Sequence, residues 1–317
     1  MLKFKNIKCE NRIFGMVATF QDRLRPRYLT FDGFLPVIIL PSFLLVASLS
    51  FWWTIFSFTT LTIFFVLIFA VFIKLIPKTK FFLTWTLTSL TLLYFIFEFV
   101  VIPFLEILLE ENLFLSVLIF GFVICLYLVK SRANELISYG EGDPETNIFG
   151  KDISRFYTCR ICDSKIPDKD HHCIWFDCCI SRHNQCLFIL TLVFGIAALL
   201  YSSNLTLTSV CHPFEFYKTI LLPDDCSDVY FQFELGLSFV SALYSIFLAN
   251  FMVIILLQQV ILVSIGISTT EWRKLPCASK LCLGLNAKRS YHKGFFKNWA
   301  QIICCLKNYY STANRVA

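Results

Sequence analysis

From Phe34 to Ile76 the chain is almost uninterruptedly apolar, and that run alone decides the class of fold. At about 1.5 Å per helical residue it is roughly twice the ~30 Å thickness of a bilayer's hydrocarbon core. It therefore reads as two helices, 34–53 and 55–76, turning back near Trp52, Trp53 and Thr54. Further apolar stretches run from Phe81 to Leu105, from Leu113 to Val129, over 186–203 and over 235–265, each long enough to cross. A soluble globule carries about 25% charged residues, whereas this chain has 16% charged and 57% hydrophobic. The expectation is an all-α integral membrane protein with six transmembrane helices. Residues 1–32 are mixed and basic, so no cleavable signal peptide is expected and the first span serves as the insertion signal.

Charge tests that count, because Lys and Arg accumulate on the cytoplasmic side of a membrane. Seven of the 28 lie in residues 1–32, three in the turn with Lys74, Lys78 and Lys80, eight in 130–185 and nine in 267–317. Only Lys218 is left for the opposite side, whose loops are acidic instead: Glu106, Glu110, Glu111, Glu215, Asp224, Asp225, Asp228 and Glu234. The net charge of +6 is thus a topological signal, not a nucleic-acid one. The expected layout is a cytosolic segment 1–33, four helices in 34–129, a cytosolic domain 130–185, two helices in 186–265 around a lumenal loop 204–234, and a cytosolic segment 266–317. In that lumenal loop Cys211 and Cys226 could pair in an oxidising compartment. The sequon at Asn204 directly abuts a span.

Within the fourth-to-fifth loop, five cysteines and three histidines fall between Cys159 and His183, out of only five histidines in the chain. Such density on a cytosolic loop favours metal over disulfides. Zinc takes four tetrahedral ligands; Cys159 and Cys162 supply one half, and the other must come from His171, His172, Cys173, Cys178 or Cys179. One zinc would leave one or more thiols over.

Asp170, His171, His172 and Cys173, followed by Trp175, Cys179, Asn184 and Phe188, resemble the signature of the DHHC protein S-acyltransferases, or palmitoyltransferases. Ser268, Thr269, Thr270 and Glu271 are similar to that family's T-T-x-E element, and Tyr291, Gly294 and Asn298 to its C-terminal aromatic, Gly and Asn segment. Asp143 and Pro144 resemble a D-P-G motif with Glu145 in place of Gly. The chain departs from the pattern at Ile174 for Pro, Cys178 for Asn and Ser181 for Gly. Members bind two structural zincs; the resemblance puts Cys159, Cys162, His172 and Cys179 in register with the second site. Thr158 and Lys165 stand where two ligands of the first would be. One structural zinc is therefore expected.

The resemblance implies Cys173 as nucleophile, His171 as its general base and Asp170 as the group that orients His171, with Thr269, Glu271 and Asn298 in support. It implies a long-chain acyl-CoA as co-substrate, an acyl-Cys173 intermediate, and membrane-associated proteins as acceptors. The acyl chain would enter the apolar helices while CoA stays in water beside Arg155, Arg160, Lys165, Lys169 and Arg182. The resident membrane expected is the endoplasmic reticulum or Golgi. A zinc-stabilised membrane adaptor of the same fold, without turnover, is the competing expectation. Glu98, Asn250, Gln258 and Gln259 are expected only to reach the interface or bond between helices.

Overall fold

In a computed structural model of the protein, the described residues are 33–68, 79–105, 107–141, 156–216, 220–276, 280 and 292–303. Residues 1–32, the Asp143–Pro144 pair, Arg155 and Tyr291 lie outside them. Helices α1 (Leu35–Ala47) and α2 (Phe51–Leu67) come first. Next is α3 (Phe81–Ile96), which continues through a π-helical turn, Phe97–Val101, to Leu105. Helix α4 (Leu109–Glu141) leads to two hairpins, β1 (Phe156–Cys159) with β2 (Ser164–Pro167) and β3 (Lys169–Cys173) with β4 (Cys178–Ser181). Helix α5 (Gln185–Val210), the hairpin of β5 (His212–Phe216) and β6 (Ile220–Asp225), and helix α6 (Phe233–Ile265) follow. A short α7 (Thr269–Lys274) and α8 (295–303) complete the described chain.

Four of these helices are long and apolar enough to cross a membrane, within Phe81–Leu105, Leu109–Ser138, Gln185–Val210 and Phe233–Ile265. The protein is a multi-pass membrane protein. The other two expected spans are apolar but shorter among the described residues: α1 has 13 residues and α2 has 17, against the roughly 20 a crossing needs. Their turn falls earlier than expected, at Ser48–Ser50. Ser50 is extended and its hydroxyl accepts from the Trp53 N–H at 3.5 Å, so a serine cap starts α2 before the tryptophans, not after them. Whether α2 reaches Ile76 lies outside the described residues. The fold is also not purely helical, since three two-stranded antiparallel hairpins interrupt it.

Two helix ends differ in a way that matters to the site. Helix α4 carries on twelve residues past Val129 and lies against β2 and β4. Helix α5 continues to Val210, which puts Asn204 on an exposed helical face, and Cys211 at its end is bonded to Cys226 across the β5–β6 hairpin. The bundle centres on α5, packed against α4 and α6. Its polar groups are satisfied internally, as a low-dielectric interior demands: the fully buried Tyr244 hydroxyl accepts from Trp85 Nε1 at 2.9 Å and meets Ser89 Oγ at 2.8 Å.

Candidate functional site

The two hairpins owe their tightness to aspartates. Asp163, Asp168 and Asp177 have φ of 57°, 44° and 46° and sit at the β1–β2 turn, the junction between hairpins and the β3–β4 turn. Asp is among the few non-glycine residues that enter this left-handed region readily. Ser181, where the resemblance expects Gly, lies inside β4 with no positive φ, so the exchange costs no backbone strain.

Strand geometry then divides the labour of neighbouring side chains, because successive residues point to opposite faces. In the β3–β4 ladder, His172 pairs with Cys179, whereas Cys173 pairs with Cys178 and His171 with Ile180. His172 and Cys179 thus share one face. There Cys162 Sγ is 3.4 Å and Cys159 Sγ 3.9 Å from His172 Nδ1, Cys179 Sγ is 3.7 Å from it, and Cys162 and Cys179 are 3.5 Å apart. Four ligand atoms around a zinc with bonds of about 2.0–2.3 Å would stand about 3.5–3.8 Å from one another. The set Cys159, Cys162, His172 and Cys179, all within 4.8 Å of one another, therefore fits a tetrahedral metal in both donor chemistry and spacing. It is the one such cluster among the described residues. Asp177 Oδ1, 3.7 Å from His172 Nε2, backs the imidazole from the far side, the usual arrangement around a metal-bound histidine.

On the other face lie His171 and Cys173. His171 Nδ1 donates to Asp170 Oδ2 at 2.6 Å, and Cys173 stands two residues on along the same face of β3. Burial works against charging this imidazole, but Asp170 and Cys173 hold it up at about 9. Burial likewise opposes charge on Asp170, yet His171 and Thr269 keep the carboxyl below its ordinary value. Cys178, across the ladder from Cys173, is pushed up by burial and by Cys173, so it stays a thiol. His171 also packs edge-on against Phe188, ring centres 5.6 Å apart.

Asp170 is held from outside the hairpin. Its Oδ1 accepts from the Thr269 N–H at 2.7 Å, its Oδ2 accepts from the Thr269 hydroxyl at 2.6 Å, and its carbonyl accepts from the Thr270 hydroxyl. Those donors are exposed because a capping box starts α7: Ser268 Oγ accepts from the Glu271 N–H at 3.2 Å and Glu271 Oε2 from the Ser268 N–H at 3.0 Å. Glu271 therefore shapes the turn and never reaches the thiol. Asn298 stands one step further out. Its Nδ2 donates to Ser264 O and its Oδ1 accepts from the Lys293 N–H, fastening α8 to the end of α6. Asn184, fully buried, bonds Val129 O, Cys179 O and the Ser181 N–H, joining α4 to the hairpin.

The hairpin tip enters the bundle. Trp175 packs on Phe82 and Phe251, with ring centres 5.0 and 5.4 Å away, and Lys130 Nζ donates to Phe176 O. Beside the tip opens an apolar cavity, lined near the hairpin by Trp175, Phe176, Phe188 and Met252 and at its far end by Ser202, Thr206 and Ser241. From Phe188 to Thr206 the wall of α5 is eighteen residues, roughly 27 Å at about 1.5 Å each. Sequence reading missed Asp177 and Gln185, whereas Gln259, expected to bond between helices, does so by accepting from Gln185 Nε2 at 3.1 Å. Only the capping box had a legible signal, S-T-T-E directly after an apolar span.

Compared with known proteins, residues 144–276 match the family model for the DHHC palmitoyltransferase. Palmitoyltransferase ZDHHC23-B of Danio rerio is 33% identical over 149 residues, 46% of this chain and 34% of that protein. Palmitoyltransferase ZDHHC23 of Mus musculus is 30% identical over 152 residues, 47% of this chain and 35% of that one. Palmitoyltransferase erf2 of Schizosaccharomyces pombe is 25% identical over 155 residues, 47% and 40%. The chain spans about a third of the length of the first two.

Proposed function

We propose that the protein transfers a long-chain acyl group from acyl-CoA to cysteines of membrane-associated proteins through an acyl-Cys173 intermediate, a reading supported by the match of residues 144–276 to the DHHC palmitoyltransferase family model. The observation that carries this is the Asp170–His171 pair, with Cys173 on the same face of β3, next to an apolar cavity lined by Trp175, Phe176 and Phe188. His171 takes the Cys173 proton, and the thiolate attacks the thioester carbon. As the bond to CoA sulfur breaks, His171 returns the proton to the departing thiolate. A target cysteine then gives its proton to His171, attacks the acyl-enzyme and releases Cys173. Thioester exchange has little net driving force, so a two-step scheme suits it. Asp170 keeps the proton on His171 Nδ1 and stabilises the imidazolium between steps.

One structural zinc would be held by Cys159, Cys162, His172 and Cys179; its chemistry is to lock the two hairpins together, because four protein ligands leave no open position. Each methylene buried in the cavity contributes about 0.8 kcal/mol, which favours fatty acyl donors over short ones. Lys80, Lys130, Arg160, Lys165, Lys169 and Arg182 are among the basic residues of the expected cytosolic face, beside which CoA would remain in water. The expected endoplasmic reticulum or Golgi placement goes with that topology.

The test is direct. Full-length protein in detergent, incubated with an alkyne-tagged palmitoyl-CoA, should acquire hydroxylamine-sensitive label that Cys173→Ser abolishes. Undiminished label on the Cys173→Ser protein, or none on the parent, rejects the reading.

A further inference from the structure

We propose, resting on the acyltransferase reading above, that Gln259 is a positioning residue for the Asp170–His171 pair and that Gln185 fixes Gln259 in turn. The two glutamines come from different spans, α5 and α6, and both are buried, as are Thr269 and Asp170. Gln185 Nε2 donates to Gln259 Oε1 at 3.1 Å, Gln259 Nε2 donates to Thr269 Oγ1 at 3.2 Å, and Thr269 Oγ1 donates to Asp170 Oδ2 at 2.6 Å.

The direction of every bond follows from the end that cannot change. An ionised carboxylate only accepts, so the single hydrogen of the Thr269 hydroxyl goes to Asp170. The oxygen of that hydroxyl is then an acceptor, and the group facing it must donate. This turns the Gln259 amide so that its Nε2 faces Thr269 and its Oε1 faces away, where Gln185 supplies the donor. In a dry interior such a series polarises along its length, and the donor to Thr269 strengthens the bond that Thr269 gives to Asp170. A glutamine pair serving only to join two spans would be complete with the bond between Gln185 and Gln259. The further bond from Gln259 to Thr269 directs that pair at the relay. Gln258, next to it on α6, is exposed and takes no part.

The experiment uses the full chain in detergent and two readouts: single-turnover acylation of Cys173 by palmitoyl-CoA over a concentration series, and alkylation of Cys173 by iodoacetamide, which needs no acyl donor. Gln259→Leu should lower the saturating acylation rate on the order of tenfold, the scale of one hydrogen bond to a charged network. The half-saturating palmitoyl-CoA concentration should stay within about twofold, since Gln259 lies off the cavity. Iodoacetamide alkylation should slow as well. In a Thr269→Val background the same change should cost nothing more, because the connection to Asp170 is already cut. Gln185→Leu should show a smaller loss with the same dependence on Thr269, and it stands in for Gln259→Leu if that variant does not fold. Gln258→Leu should match the parent. Parent-like rates for Gln259→Leu, or an equal loss with and without Thr269, overturn the proposal. If parent and Gln258→Leu both take no acyl label, it is the acyltransferase reading that fails, and the alkylation rates decide the role of Gln259 by themselves.

Discussion

Asp170 receives three donors on two oxygens, the Thr269 N–H, the Thr269 hydroxyl and His171 Nδ1. An asparagine cannot satisfy that set. With its oxygen toward His171 its amino group meets the Thr269 N–H, and with its oxygen toward that N–H it turns an amino group on the imidazole and forces the wrong tautomer. Asp170→Asn should therefore slow Cys173 acylation on the order of a hundredfold, about 3 kcal/mol, at unchanged expression and elution on gel filtration; a rate within about threefold of the parent would contradict the assigned role. The separation of His171 from His172 was legible because neighbouring side chains point in different directions, and the ladder sets them on opposite faces of β3. The reach of Gln259 to Thr269 was not readable. A polar residue near the end of an apolar run has many bland explanations, and only the fold brings it to a threonine ten residues away.

At the scale of elements, the hairpins are too small to hold themselves. Strands of four or five residues bury almost nothing in pairs, so the Cys3His cluster and the contacts with α4 must do it. Chelation of the proposed zinc, or Cys162→Ser, should release about one equivalent of zinc. It should also make Cys159 and Cys179 reactive to maleimide and abolish Cys173 acylation, while the helical far-ultraviolet signal falls little; two equivalents released would contradict a single site. The apolar runs made the long helices legible, but their ends were not. The apolar stretch ends at Val129, yet Lys130 bonds Phe176 and α4 continues as the wall against which the hairpins rest. The α1–α2 break, expected near Trp52, Trp53 and Thr54, comes a few residues earlier because Ser50 caps α2.

Across the whole molecule, the cavity runs from the tip of the β3–β4 hairpin, at Trp175 and Phe176, toward Ser202 and Thr206 near the other end of α5. Ala198 lines it about 15 Å along α5 from Phe188, at about 1.5 Å per residue. Ala198→Phe should close the deeper half. With acyl-CoAs of graded length, acylation of Cys173 should shift toward shorter chains, by about 0.8 kcal/mol for each methylene denied burial; an unaltered chain-length profile would show that the acyl group lies elsewhere. Sequence gave no access to this cavity, because its walls come from four helices whose rotations are set only by packing. The disulfide at the end of α5 has a consequence of its own. Cys211 and Cys226 need oxidation, whereas the cluster of Cys159, Cys162 and Cys179 needs thiolates, and the two sets flank a helix roughly 39 Å long at about 1.5 Å per residue. A copy inserted upside down would meet the wrong chemistry at both ends, losing its crosslink on one side and oxidising its metal ligands on the other. On the expected topology, with 130–185 cytosolic and 204–234 lumenal, the cysteines would thereby check orientation, sparing only molecules that entered the bilayer the right way round.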